Sequence, residues 1–327
     1  MRSSSGTLLC LGSGAAFGAM AIFGKLAYDG GANVGTLLSV RFVLAAALFW
    51  GLVLAGGMLR DAPAARDVRL GLALGAGGYA LQAGCFFLAL ERIDASLLSL
   101  LLYTFPAMVA GAAVVLGRER LDRRRVAALG LSFGGLALVV TGAGAGALDP
   151  LGAALGLAAA VVYTTYILVS QGVAGRVRPE VLSALVCTGA AVSLTAGAAL
   201  LGQLAPGEVT AAGWGWIAGI AVVSTVVAIS LFFAGLRRAG PTKASILATV
   251  EPLVTVLLAF LVFGEALGAV QLGGGALVLA AVFTLHARLP RSRRAVVPAA
   301  AAPTFPRIPE DESHASSEDR SAVRPTA

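Results

Sequence analysis

Ten stretches of about twenty apolar residues divide this chain at nearly regular intervals: roughly 7–28, 34–55, 68–90, 95–116, 126–141, 151–170, 181–201, 214–236, 244–263 and 267–287. A hydrocarbon layer about 30 Å thick is crossed by about twenty residues in helical form. In lipid every backbone N–H and C=O must be satisfied internally, which leaves helices and closed barrels. Barrel strands alternate apolar and polar residues over about ten positions. These stretches are apolar all round, so the expected fold class is all-α integral membrane with ten transmembrane helices. The charge content agrees: 13% of residues are charged, about half the share in soluble domains. The first stretch carries Lys25, exceeds the usual leader h-region in length, and is followed by nine more, so it is expected to remain as a span.

The connections carry an orientation signal. If the N-terminus is cytoplasmic, that side receives Arg2, Arg60, Arg66, Arg69, the run from Arg118 to Arg125, Arg176, Arg178, Arg237, Arg238, Lys243 and the arginines from Arg288 to Arg294. That is eighteen basic residues, against Arg92 alone opposite. Lys and Arg accumulate in cytoplasmic loops, so both termini are expected in the cytoplasm and the chain in a bacterial plasma (inner) membrane. The basic balance is thereby accounted for without nucleic acid. The Arg118–Arg125 run is suited to anionic lipid in a generic way. From residue 289 the composition turns to Ala, Pro, Ser, Glu, Asp and Arg, a segment expected to stay disordered, either passive or regulatory.

A shift of 146 residues aligns the chain with itself. Arg92, Ser99, Pro106, Glu119 and Leu121 fall on Arg238, Ser245, Pro252, Glu265 and Leu267. The expected organisation is therefore a first five-helix repeat over 1–142, a second over 143–288, and the tail 289–327. Five is odd, so the second repeat enters the membrane from the opposite side. The loops agree: Gly117–Arg125 holds five arginines, whereas its equivalent around Gly264-Glu265-Ala266 holds no Lys or Arg. Inverted repeats recur in secondary transporters, where swapped halves give one midplane site two access states.

Glu251-Pro252 followed by Phe263-Gly264-Glu265 resembles the signature of EamA-type members of the drug/metabolite transporter superfamily. Phe17-Gly18, Lys25-Leu26-Ala27 and Arg41-Phe42 are similar to that family's first two helices. Phe17 stands where the family usually has Trp, and Phe105 stands in the first repeat where Glu251 stands in the second. The resemblance covers about residues 7–287. It implies ten helices in two inverted halves around a central cavity, and cargo drawn from amino acids, other metabolites, sugars or drugs.

Ionisable groups inside hydrocarbon are costly and carry a task or a partner; here they are Lys25, Arg41 and Glu251. Glu251 is about 12 Å into its stretch at about 1.5 Å per residue. Pro252 frees a carbonyl near Ala248 or Val250. Two readings stand: a proton or cation site, since withdrawal from water disfavours a charged carboxyl, or a structural ion pair with Lys25 or Arg41. Lys25 either snorkels to the headgroups or binds an anionic group of the solute. Arg41, deeper in its stretch, is expected to meet an acidic residue or helix-end carbonyls, with a role in coupling or charge.

Tyr79 with Gln82, Tyr103 with Thr104, and Tyr163 with Tyr166 are further candidates. By helical spacing Tyr79 and Gln82 share a face, as do Tyr163 and Tyr166. Such a lining suits amphipathic or zwitterionic solutes, with rings available for cation–π contacts; ordinary helix packing is the other reading. Trp214 and Trp216 are expected to be interface anchors. Gly14/Gly18, Gly71/Gly75, Gly130/Gly134, Gly152/Gly156 and Gly215/Gly219 have the small-xxx-small spacing of close helix packing, within a monomer or between two copies in a homodimer.

No phosphate-cradle motif or HExxH motif occurs, and the only histidines are His286 and His314, so neither an ATP-driven pump, nor a metal site, nor any other enzyme or cofactor is expected. The expected function is a secondary transporter of small metabolites by alternating access, an exporter being one form of it. Its partners are a small-molecule solute and lipid. The alternative is a non-transporting scaffold, receptor or lipid-handling protein, which needs no polar vestibule.

Overall fold

A computed structural model describes residues 2–58, 63–117, 122–142 and 149–286. Glu119, Leu121, the junction after residue 142 and the tail 289–327 lie outside the described residues. Every regular element among the described residues is a helix. Ten membrane-length units follow in order: α1 (Ser5–Asp29), α2 (Val34–Ala55), α3 (Ala65–Leu90), α4 (Ala95–Val115), α5 (Arg123–Thr141), α6 (Pro150–Ala174), α7 (Pro179–Leu200), α8 (Ala211–Ala239), α9 (Ile246–Phe263) and α10 (Ala269–His286). The first nine are long and apolar enough to cross a membrane, and the apolar part of α10, Ala269–Leu285, is slightly shorter.

Helix starts are set by residues that satisfy the free amides of the first turn. Asn33 accepts from the Thr36 N–H, Asp122 from Arg125, Asp149 from Leu151 and Gly152, and Thr210 from Gly213. Pro150 and Pro179 occupy first helical positions, where no backbone donor is lost. Gly264 ends α9 at φ +69°, a left-handed turn that costs glycine little. At the end of α10 the Arg124 guanidinium takes the Leu285 carbonyl at 2.6 Å and also the Thr284 carbonyl, a cation on the negative end of a helix.

Packing repeats the internal symmetry. Helix α2 packs on α7, α5 on α10 and α4 on α9; α1 packs on α8 as α3 does on α6, and α1 on α9 as α4 does on α6. Advancing each helix by five maps this set of pairs onto itself. The fold is thus two five-helix repeats wound into one bundle.

Three spans are not continuous helices. Helix α1 is divided at Ala19, between Arg2–Gly18 and Met20–Asp29. Helix α4 is divided into Ala95–Leu102 and Phe105–Val115, and α9 continues back as Pro241–Ala248 before Thr249 and Val250–Phe263. Tyr103 and Thr249, at the α4 and α9 divisions, are 146 positions apart. Helices α3 and α8 each contain one widened π-helical segment, Leu74–Tyr79 and Val222–Val227. Such segments concentrate at functional sites.

The small-residue pairs divide in two. A Cβ on Gly75 would lie 2.0 Å from the Val186 carbonyl oxygen, and one on Gly18 would lie 2.7 Å from that of Glu251. Gly130, Gly134 and Gly215 face open space, whereas Gly135 and Gly274, outside the expected spacing, press backbone on backbone.

Candidate functional site

The divided segments of α1, α4 and α9 and the end of the widened segment of α3, at Tyr79, border a cavity of about 880 Å³. Its wall takes residues from both repeats, including Arg41, Tyr79, Gln82, Tyr103, Tyr163, Tyr166 and Glu251. Four of the chain's five tyrosines therefore face one space. Asp122, Arg124, Arg125 and Pro179 line the same cavity, so it runs from mid-bundle to the arginine-rich end.

A chain of aromatic rings crosses the wall. Phe42 meets Tyr79 edge-on at 5.3 Å, Tyr79 stacks on Tyr166 at 5.7 Å, and Tyr166 stacks on Tyr163 at 6.2 Å. Tyr163 meets Phe105 at 4.7 Å, and Phe105 meets Tyr103 at 5.7 Å. Arg41 adjoins the first ring and Glu251 the last. These are favoured ring geometries, and they present a polarisable surface with a cation near one end and a carboxyl near the other.

Arg41 is 2% exposed. Its Nε donates to Thr225 Oγ1 at 3.2 Å, and its guanidinium carbon lies 4.8 Å from the Phe42 ring and 5.4 Å from that of Phe87. Thr225 is in the widened segment of α8, where its hydroxyl donates to the Ile220 carbonyl, five residues back, at 2.9 Å. The hydroxyl hydrogen is thus committed, and the oxygen is left to accept from Arg41. The expected acidic or carbonyl partner of Arg41 is replaced by the hydroxyls of Thr225 and Tyr79 and by two rings.

Glu251 is in the first turn of the second half of α9, where the amide ends favour negative charge. Its nearest polar contact is the Tyr103 hydroxyl at 3.4 Å. That hydroxyl lies closer to the Ala248 carbonyl, one of the two acceptors that Pro252 was expected to free. Among the described residues no Lys or Arg stands within ion-pair distance of Glu251, so the expected pairing with Lys25 or Arg41 is absent there.

Two candidates lie elsewhere. Thr104 is buried and donates to the Leu101 carbonyl at 2.7 Å, closing the turn at the α4 division, and it does not line the cavity. Lys25 does not line the cavity. Its Nζ is 2.7 Å from Glu265 Oε1 and 3.7 Å from Asp94, at the bundle end away from the arginines. Glu265 also accepts from the Ala95 and Ser96 amides, at 3.2 and 3.0 Å, and from the Ser96 hydroxyl at 3.0 Å. One carboxylate thus ties the second repeat to Lys25 of α1 and to the start of α4. Burial pushes the Glu265 carboxyl up, but the Lys25 hydrogen bond and the Ser96 amide together hold it below the ordinary carboxylate range. The sequence marks Glu265 through the repeat and the family signature but not as a tie; the signal available for that is its match to a lone intramembrane lysine. Of the tryptophans, Trp214 is exposed, and Trp216 stacks on Phe23 at 5.6 Å.

Three comparisons bear on this arrangement. The EamA-like transporter family matches twice, at residues 4–141 and 150–286. An uncharacterized transporter of Archaeoglobus fulgidus is 31% identical over 249 residues, covering 76% of this chain and 86% of that protein. The uncharacterized transporter YcbK of Bacillus subtilis is 28% identical over 295 residues, covering 84% and 90%. A solved structure described only as that of a protein superposes with a TM-score of 0.61 at 21% identity, covering 86% of this chain and 96% of the other; that likeness concerns the fold.

Proposed function

The chain belongs to the EamA-like transporter family, and from that premise we propose that it is a secondary transporter of small amphipathic or zwitterionic metabolites working by alternating access. One observation carries the reading: an aromatic-walled cavity with a few buried polar groups reaches mid-bundle, opens at the arginine-rich end, and ends short of a tie formed by Lys25, Glu265 and the start of α4. A scaffold has no use for such a vestibule and would fill it with Leu and Ala. The charge asymmetry supports placing the arginine-rich end in the cytoplasm of a bacterium. In that orientation the cavity faces the cytoplasm, an arrangement that an exporter uses to load its solute.

Divided helices at the midplane suit the task, because each division leaves backbone groups that a solute or ion can use. The residues proposed to line the solute path are Tyr79, Gln82, Tyr103, Tyr163 and Tyr166. Glu251 is proposed to carry the coupling proton or cation: it is buried, lies at a half-helix N-terminus, and has no basic partner among the described residues. Opening at the far end then requires the Glu265 tie to break while the halves close over the arginine-rich mouth.

The test compares metabolites in cells and medium with and without the gene, followed by flux of the solute that differs in proteoliposomes. Wild-type flux is expected to depend on pH. Glu251→Gln is expected to lower it about a hundredfold and to flatten the pH profile. An unchanged metabolite profile on overexpression argues against transport, and an unchanged Glu251→Gln pH profile removes the coupling role.

A further inference from the structure

We infer that the Nη edge of Arg41 is the docking point for a carboxylate on the solute; this rests on the transporter reading and names the cargo's chemistry. An arginine buried to this degree normally has a counter-ion. Among the described residues none is within ion-pair reach of Arg41. The molecule instead fixes how the guanidinium points. Thr225 takes the Nε hydrogen, and Phe42 and Phe87 pack against the guanidinium. The Tyr79 hydroxyl also hydrogen-bonds to Arg41, but among the described residues no carboxylate pairs with it, and Arg41 and Tyr79 are both part of the cavity wall. Two parallel N–H donors match the two oxygens of a carboxylate. A solute lacking that group would leave the guanidinium with hydroxyl partners and no counter-charge, which is how such a site disfavours its neutral analogue.

The ring chain sets the rest of the cargo. A carboxylate on Arg41 places the remainder of the molecule beside Tyr79 and Tyr166, where a flat or aliphatic body gains stacking and burial. Glu251, beyond the last ring, then faces the solute's far end as a separate acceptor for a proton or an ammonium. Arg41 therefore selects the anion, the tyrosines accept a range of bodies, and Glu251 answers charge at the opposite wall.

The experiment uses the full chain in lipid nanodiscs and three matched pairs: benzoate with benzamide, 3-phenylpropanoate with 3-phenylpropanamide, and hexanoate with hexanamide. Wild type is expected to bind at least one carboxylate about tenfold or more tighter than its amide. Arg41→Lys, which keeps the charge but loses the fork, is expected to reduce that ratio severalfold, and Arg41→Met to abolish it while amide binding persists. A wild-type ratio near one in all three pairs, including no binding of either member, overturns the inference, as does an Arg41→Met protein that keeps the ratio. If Arg41→Met does not fold, the wild-type and Arg41→Lys ratios decide. Carboxylate preference without flux supports the subsite and removes the transport reading; flux without carboxylate preference removes the subsite alone.

Discussion

At the scale of single residues, what separates the charged groups is whether each has a partner. Glu265 is closely tied: its side chain is 7% exposed, and it accepts from an ammonium, two amides and a hydroxyl. Its carboxyl is held below the ordinary range. A group with a depressed folded value contributes stability above its unfolded value of about 4.3 and loses it as pH falls through the folded one. The tie is therefore complete at neutral pH and loosens only below about pH 4. Removing the charge by Glu265→Gln forfeits roughly 2 kcal/mol of charge-assisted hydrogen bonding and favours opening at that end. The readout is thiol modification of Ser99→Cys in a chain whose Cys10, Cys85 and Cys187 are replaced by Ser. Labelling from the Lys25 side is expected to be slow, and to quicken with Glu265→Gln at pH 7. Equal rates in parent and Glu265→Gln would show that the tie does not hold this end closed.

At the scale of helices, close approach is selective. Gly135 and Gly274 present carbonyls to each other across the α5–α10 contact, where an added Cβ would meet a carbonyl oxygen at 2.6 Å on either side. Gly130 lies on the same helix with nothing within 4 Å. Gly135→Ala is thus expected to cost about 1–3 kcal/mol by overpacking. Gly130→Ala is expected to be neutral or to gain up to about 1 kcal/mol of helix propensity. Unfolding of the two variants by titration with a denaturing detergent separates them, and equal midpoints would dismiss the packed α5–α10 face. The sequence carried the number and type of the helices, because twenty apolar residues per crossing is a requirement of the solvent. It marked the α9 division through Pro252 beside Glu251, but not Thr104 as a local turn-closer or the widened segment that brings Thr225 to Arg41. Those depend on which side of a helix faces its neighbour, and a uniformly apolar helix in lipid has no polar stripe to reveal that. The same blindness explains why Gly130 and Gly134 read like a packing pair while Gly135, one position on, makes the contact.

At the scale of the whole molecule, the exchange of helices one to five with six to ten has a mechanical consequence. The packing pairs survive the exchange, but the access does not: one end of the bundle is open to the cavity, and the other is held by Lys25 and Glu265. Two halves with the same internal packing and opposite direction have no intrinsic preference for one end. The asymmetry therefore rests on side chains that the repeats do not share, among them Lys25, which meets Ser170 at a shift of 145, and Glu251, which meets Phe105 at the shift of 146. A small set of contacts then biases two arrangements of one bundle, and a solute or proton that shifts those contacts shifts access. This holds only if the repeats run in opposite senses through the membrane. Reporter tags inserted after Leu201 and appended at the C-terminus are separated by three crossings. They are expected on opposite faces, outside and inside respectively, with an N-terminal tag also inside. Tags after Leu201 and at the C-terminus found on one face would leave an even number of crossings between them. The second repeat could not then be the first turned over, and a single cavity could not be exposed to each side by exchanging the halves.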